Sequence, residues 1–224
     1  MSMPLSRLVD IAESQWGLFT RPQAEQVDVG WTTLARLTKT GLTERVGHGV
    51  YRIRGSSEPD HLDLRVAWLQ LEPTALAWAR FENPGVAVVS HSSAASMYQL
   101  GDLRADIHEF TLPARKQSRR RDVRLHRGSV PPNDWTMLGG LPVTRAGRTI
   151  GDLVASGIDL ETVARITAEA VDRVLDYPRV IGDHLAPSAA RFGFRRGDGK
   201  ALFEYLLSIA DYKLRPELTA SDVA

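Results

Sequence analysis

Apolar residues over positions 5–16 recur three and four apart. Leu5, Leu8, Val9, Ile11, Ala12 and Trp16 share one stripe, and Ser6, Asp10 and Gln15 lie opposite. That period predicts an amphipathic helix, and Gly17 predicts its end. Thr20, Pro22 and Gln23 then stand in the order of an N-cap, a first-turn proline and a capping-box partner. A short helix over 21–27 follows, then a turn at Asp28-Val-Gly30. A third helix spans 31–40, with Leu34 and Leu37 on one face and Gly41 as its stop. Two β-prone runs, 43–46 and 50–53, flank Gly47-His-Gly49, which predicts a hairpin. Three short helices and then a hairpin within about 56 residues is the order of a winged helix-turn-helix.

The run Gly55-Ser-Ser-Glu-Pro59 reads as a boundary. Domains are therefore expected at 1–56 and 57–224. Beyond the boundary, 59–71 and 73–81 read as helices and 86–89 as a short strand. Ser90 is expected to cap a helix to Leu100. Strands are expected at 107–112, 123–126, 135–138 and 141–143. Thr144 is expected to cap a helix over 145–155, followed by helices over 160–175 and 199–212. The fold class is α+β, a winged helix followed by a larger mixed α/β domain.

Composition adds limits. The chain has 224 residues, 43% of them hydrophobic, which suffices for a sizeable core and excludes general disorder. No apolar run reaches the length of a membrane span, and the charged start is unlike a secretory signal. There is no cysteine, so disulfides, thiolate catalysis and zinc fingers are excluded. These features fit a cytoplasmic location.

Net charge is only +1, but it is unevenly distributed. Residues 101–148 carry 10 basic and 5 acidic side chains. Within them, 113–127 hold seven basic residues and one acid, Asp122. Clustering rather than the total sets the local field. This strip is equally consistent with a solvated loop and with an anion-binding surface.

If the helix over 31–40 buries Leu34 and Leu37, it turns Trp31, Thr32, Ala35, Arg36 and Lys39 outward, with Thr33 at the edge. Arg36 has the fork that pairs with guanine O6 and N7, and Lys39 suits phosphate. Arg45, His48 and Arg52 lie in the wing. The candidate DNA-binding set is Trp31, Thr32, Thr33, Arg36, Lys39, Arg45, His48 and Arg52. Arg115, Lys116, Arg119, Arg120, Arg121, Arg124 and Arg127 of the strip complete it. No catalytic site, metal site or cofactor is expected. The six histidines lack metal-ligand spacing, and neither a P-loop nor a nucleophile elbow is present. Ser90 and His91 are adjacent, which is poor geometry for a nucleophile and its base. Asp198-Gly-Lys200 and Asp211-Tyr-Lys213 read as surface pairs.

Several segments resemble one family. Leu18-Phe-Thr-Arg-Pro-Gln-Ala24, Leu34-x-x-Leu37-x-x-x-Gly41-Leu42 and Arg45-Val-Gly-His-Gly-Val-Tyr-Arg52 resemble the head of AbiEi-type antitoxins. Val89-Ser-His-Ser-Ser-Ala-Ala95 and Leu141-Pro-Val-Thr-Arg-Ala-Gly-Arg-Thr-Ile-Gly-Asp-Leu153 resemble two further segments of that family. The resemblance covers about residues 5–175 and fades over 176–224. It implies a bacterial antitoxin whose N-terminal domain binds inverted repeats upstream of its own operon. A second copy on the palindrome is expected. The resemblance also implies a C-terminal domain that counters a nucleotidyltransferase-like toxin. A nuclease activity found in some relatives is not carried over, because no matching Asp…Glu-x-Asp-Gly segment is present. The alternatives are a regulator without a toxin, or a protein-interaction module that grips the toxin directly.

Overall fold

A computed structural model describes residues 3–81, 87–103 and 106–215. The chain divides into two compact units, Met1–Ala87 and Val88–Ala224. Val86 of the expected strand and the tail from Pro216 lie outside the described residues.

The first unit opens with α1 (Met3–Glu13), which buries Leu8 and Ala12. Strand β1 (Leu18–Thr20) follows, then α2 (Arg21–Gln26), α3 (Trp31–Lys39), β2 (Thr43–Gly47) and β3 (Val50–Ile53). Thr20 forms the capping box as expected: its hydroxyl accepts from Gln23 N, and Gln23 Oε1 accepts from Thr20 N. Gly41 ends α3 at φ +77°, where a side chain would be strained. The strands form a sheet in the order β1-β3-β2, with a register shift between Arg45 and Gly47. Leu8, Phe19, Val29, Leu34, Leu37 and Tyr51 form the core between helices and sheet. At three residues, β1 is too short to show an alternation, and sequence reading passed over it.

The turn at 55–59 is real but does not end the unit. Helices α4 (Leu62–Leu71) and α5 (Ala77–Phe81) belong to it. Trp68 is fully buried, and its Nε1 donates to Ala87 O at 2.7 Å. Gln23 Nε2 donates to Ala75 O, and Ala77 N donates to Gln15 Oε1. Two arginines are buried here on aromatic faces, Arg65 over Trp16 and Arg80 over Trp68. Burial pushes the Arg80 guanidinium down to about 9.

In the second unit, β4 (Val88–Val89), β5 (His108–Leu112), β6 (Val123–Arg127), β7 (Trp135–Leu138) and β8 (Leu141–Thr144) form one sheet in the order β6-β5-β4-β8-β7. The sheet is mixed: β5/β6 and β4/β8 are parallel, β4/β5 and β7/β8 antiparallel. Gly139 and Gly140, both at positive φ, make the tight β7–β8 turn. Helices α6 (His91–Met97), α7 (Ala146–Ser156), α8 (Leu160–Asp172), α9 (Pro178–Leu185) and α10 (Gly199–Ile209) supply a core around Ile150, Leu153, Ile166, Ile181, Leu185 and Leu206. The α9 helix was not expected, although Pro178 and the Ile181/Leu185 spacing are its signals.

Two expected caps are corrected. Arg145, not Thr144, is the N-cap of α7, and the Thr144 hydroxyl instead meets Thr149 Oγ1 at 2.7 Å. Ser90 stands at the N-cap of α6 but makes no side-chain cap bond. Asp198, read as half of a surface pair, caps α10 by accepting from Ala201 N.

Candidate nucleic-acid interface

Leu34 and Leu37 anchor α3 in the core, so the 3.6-residue period aims the rest of the helix away from it. Trp31, Thr32, Ala35, Arg36 and Lys39 are exposed and Thr33 is half-buried, as the sequence indicated. Trp31, the first residue of α3, is 55% exposed. The Arg21 guanidinium sits 5.3 Å from its ring centroid while pairing with Glu25. The tips of α2 and α3 thus present a cation and an indole side by side.

The wing is fixed to α4. His48 O accepts from Gln70 Nε2 at 2.9 Å. Gly47 lies so close to Val66 that an added Cβ would stand 2.5 Å from Val66 Cγ1. Arg45 and His48 are exposed at the tip. Arg45 Nε donates to Gly47 O, and its Nη2 stands 3.3 Å from His48 Nδ1. Arg52 differs from them. Its side chain is 15% exposed and held by Glu44 and Glu58, so its charge is already matched.

The second-unit strip includes β6 and the preceding loop. Arg115, Lys116, Arg119, Arg121, Arg124 and Arg127 are exposed. Arg120 is not equivalent to them: it folds back on Asp122, with Nε to Oδ1 at 2.9 Å. That hydrogen bond holds the Asp122 carboxyl down at about 2. Arg124 Nη1 also lies 3.5 Å from Glu109 Oε1.

Sequence reading missed a polar seam in this unit. His91 stacks on His126 with ring centroids 3.6 Å apart, and His91 Nδ1 meets Ser90 Oγ at 2.9 Å. Thr111 donates to Ser90 Oγ. Glu109 bridges His126 Nε2 and the backbone N–H of Ser92. Arg148 joins Asp152 and Asp134, and His184 stands 3.6 Å from Asp134. Ser90 and His91 do meet, but Ser90 is wholly buried, which suits a structural bond rather than a nucleophile. Both family-like segments of this unit contribute to the seam, and that convergence was the only signal for it. Among the described residues, no three His, Asp or Glu are placed to hold a metal.

Burial lowers the His91 imidazole from its ordinary 6.5. Asp152 and Glu109 oppose the shift, while His126 and Arg148 add to it. As pH falls below about 6.5, the unfolded chain takes a proton at His91 that the folded chain resists, so stability should fall with pH. Burial alone would raise Glu109, but His126, Ser92 N and His91 hold it below the usual carboxylate range. Its contribution is lost only at lower pH, as pH falls through that depressed value. Thermal unfolding between pH 7.5 and 5 should show the first decline, and His91→Phe, which keeps a ring but cannot titrate, should flatten it. An equally steep decline in the variant would contradict this reading.

Residues 6–54 match the family model AbiEi_4, described as "Transcriptional regulator, AbiEi antitoxin". The matched stretch lies within the first unit, and it is this unit that is similar to AbiEi antitoxins and regulators. No curated protein matches the chain. Among solved structures, the chain is similar to the RV2827C protein from Mycobacterium tuberculosis. The identity is 16%, the TM-score 0.54, and the match covers 96% of this chain and 83% of that one. At that identity the likeness concerns the fold. The AbiEi match holds α2, α3 and the wing, and with them every first-unit candidate residue. No described helix is long and apolar enough to cross a membrane.

Proposed function

We propose that this protein is a cytoplasmic antitoxin that represses its own operon by binding inverted-repeat duplex DNA. Its second unit neutralises a nucleotidyltransferase-like toxin. The observation that carries the reading is the outward face of α3, within a segment matched to a family of regulators. The helix enters the major groove, with Arg36 on a guanine edge and Trp31, Thr32 and Thr33 on thymine methyls or phosphate. Lys39, Arg45 and His48 bind phosphate, and Arg52 contributes little because Glu44 and Glu58 already neutralise it. The exposed arginines of the strip add sequence-independent phosphate contacts. Two copies occupy the two half-sites. The competing reading is a strip that grips the toxin and leaves DNA alone.

Titration of the full chain against its own upstream DNA and shuffled DNA tests this. Arg36→Ala should lose about 1–3 kcal/mol on the operator and relax sequence preference. The Arg115, Arg119 and Arg121→Gln triple should weaken both DNAs alike. It should also lower the log–log salt slope by about one per lost contact. An unchanged operator affinity in Arg36→Ala would count against the groove reading. An unchanged slope with lost toxin protection would favour the competing one.

A further inference from the structure

Strand β6 ends the five-stranded sheet, and its only pairing among the described residues is with β5. His108 N donates to Asp122 O, and Gly128 N donates to Leu112 O. In a parallel ladder these two bonds fix the alternation. Asp122, Arg124, His126 and Gly128 turn their backbone groups to β5. Val123, Leu125 and Arg127 turn theirs to the outside, where no further strand among the described residues takes them up. Three consecutive outward N–H and C=O pairs form a template for one more strand.

We propose that this edge binds an extended acidic segment of a partner protein, which adds to the sheet beside β6. Backbone hydrogen bonds supply the pairing and the flanking charges supply selectivity. Arg121, Arg124 and Arg127 are exposed on or beside the strand, on alternate faces, so carboxylates on either face of an added strand meet a guanidinium. The same charges disfavour a second copy of β6, which would bring two cationic edges together. The opposite edge, β7, follows Asp134 and has no comparable cations, so it does not share this complementarity. The inference does not depend on DNA binding. DNA would use the guanidinium side chains, whereas an added strand also requires the backbone groups of Val123, Leu125 and Arg127.

The decisive substitution is Leu125→Pro. The N–H of Leu125 points outward, so proline removes a donor needed by an added strand and none used by β5. Val123→Pro, at the first position of the strand, does the same with less disturbance of packing. The probe is an end-blocked octapeptide of alternating Glu and Val, with a Lys/Val octapeptide as control, titrated against the full chain. The Glu/Val peptide should bind, and it should slow amide exchange at Val123, Leu125 and Arg127. Each proline variant should weaken binding at least tenfold with DNA affinity unchanged. Undiminished binding by both proline variants would assign the attraction to side-chain charge alone and overturn the proposal. So would equal binding of the Lys/Val peptide, or outer-edge amides already protected in the free protein. A dimer abolished by Leu125→Pro and resistant to the acidic peptide would give the edge to a second copy instead. Exchange measured on the unaltered chain decides the matter even if a proline variant fails to fold.

Discussion

A fragment of residues 1–87 should fold and bind DNA, while one ending at residue 56 should not fold stably. The shorter fragment leaves Thr20 Oγ1 without Pro73 O, Gln23 Nε2 without Ala75 O and His48 O without Gln70. Truncation hands these groups to water, and each intramolecular hydrogen bond lost in that exchange costs about 0.5–1.5 kcal/mol. The fragment also loses Trp68, which packs edge-on to Trp16 with centroids 6.0 Å apart. Removing such a side chain typically costs about 3–5 kcal/mol. Together these losses compare with the whole stability of a small domain, about 5–15 kcal/mol. Circular dichroism and thermal melts of the two fragments, followed by operator titration, test the expectation. A cooperative melt of 1–56 at the temperature of 1–87 would show that α4 and α5 are dispensable. The same argument moves the cut for an antitoxin test. Protection from the toxin should be sought with residues 88–224, since a fragment starting at 57 carries two helices stripped of their partners.

The second large effect is expected at Gly199. A Cβ there would stand 1.9 Å from Gly182 O and 2.6 Å from Ala186 N. Both obstacles are backbone, so no rotamer change relieves them. Gly199→Ala must push α10 away from α9, and overpacking of this kind costs about 1–3 kcal/mol or more. The melting temperature of the second unit should fall by several degrees. Gly193→Ala is the comparison: its position is open and its strain is only that of positive φ. Gly199→Ala should be the more damaging, and the reverse order would show that α9 and α10 pack less tightly than described.

Legibility in the sequence followed the range of the forces. The exposed face of α3 was readable because one helix period decides it, and the Thr20 capping box because it spans three residues. Thr144 and Ser90 misled because their hydroxyls bond elsewhere, to Thr149 and to His91 and Thr111. The turn at 55–59 is a local signal, whereas the limit of the unit is set by Trp68 and Gln70 far along the chain. The seam of His91, His126, Glu109 and Arg148 draws on four elements and exists only after the sheet has formed. The charge of Arg52 was visible, but its neutralisation by Glu44 across a strand pair was not.

The parallel pairing of β5 and β6 sets a limit on the chain that joins them. Ten residues, 113–122, lead from Leu112 back to Val123. They must retrace a five-residue strand, about 17 Å at roughly 3.3 Å per residue. Their full reach is about 33–36 Å. Parallel neighbours are usually joined by a longer crossover containing a helix, and this tether has no room for one. Evolution can alter charge at its exposed positions without disturbing the core. It has less freedom to shorten the segment: once clearly more than half is deleted, the remaining reach falls below the roughly 17 Å that must be retraced.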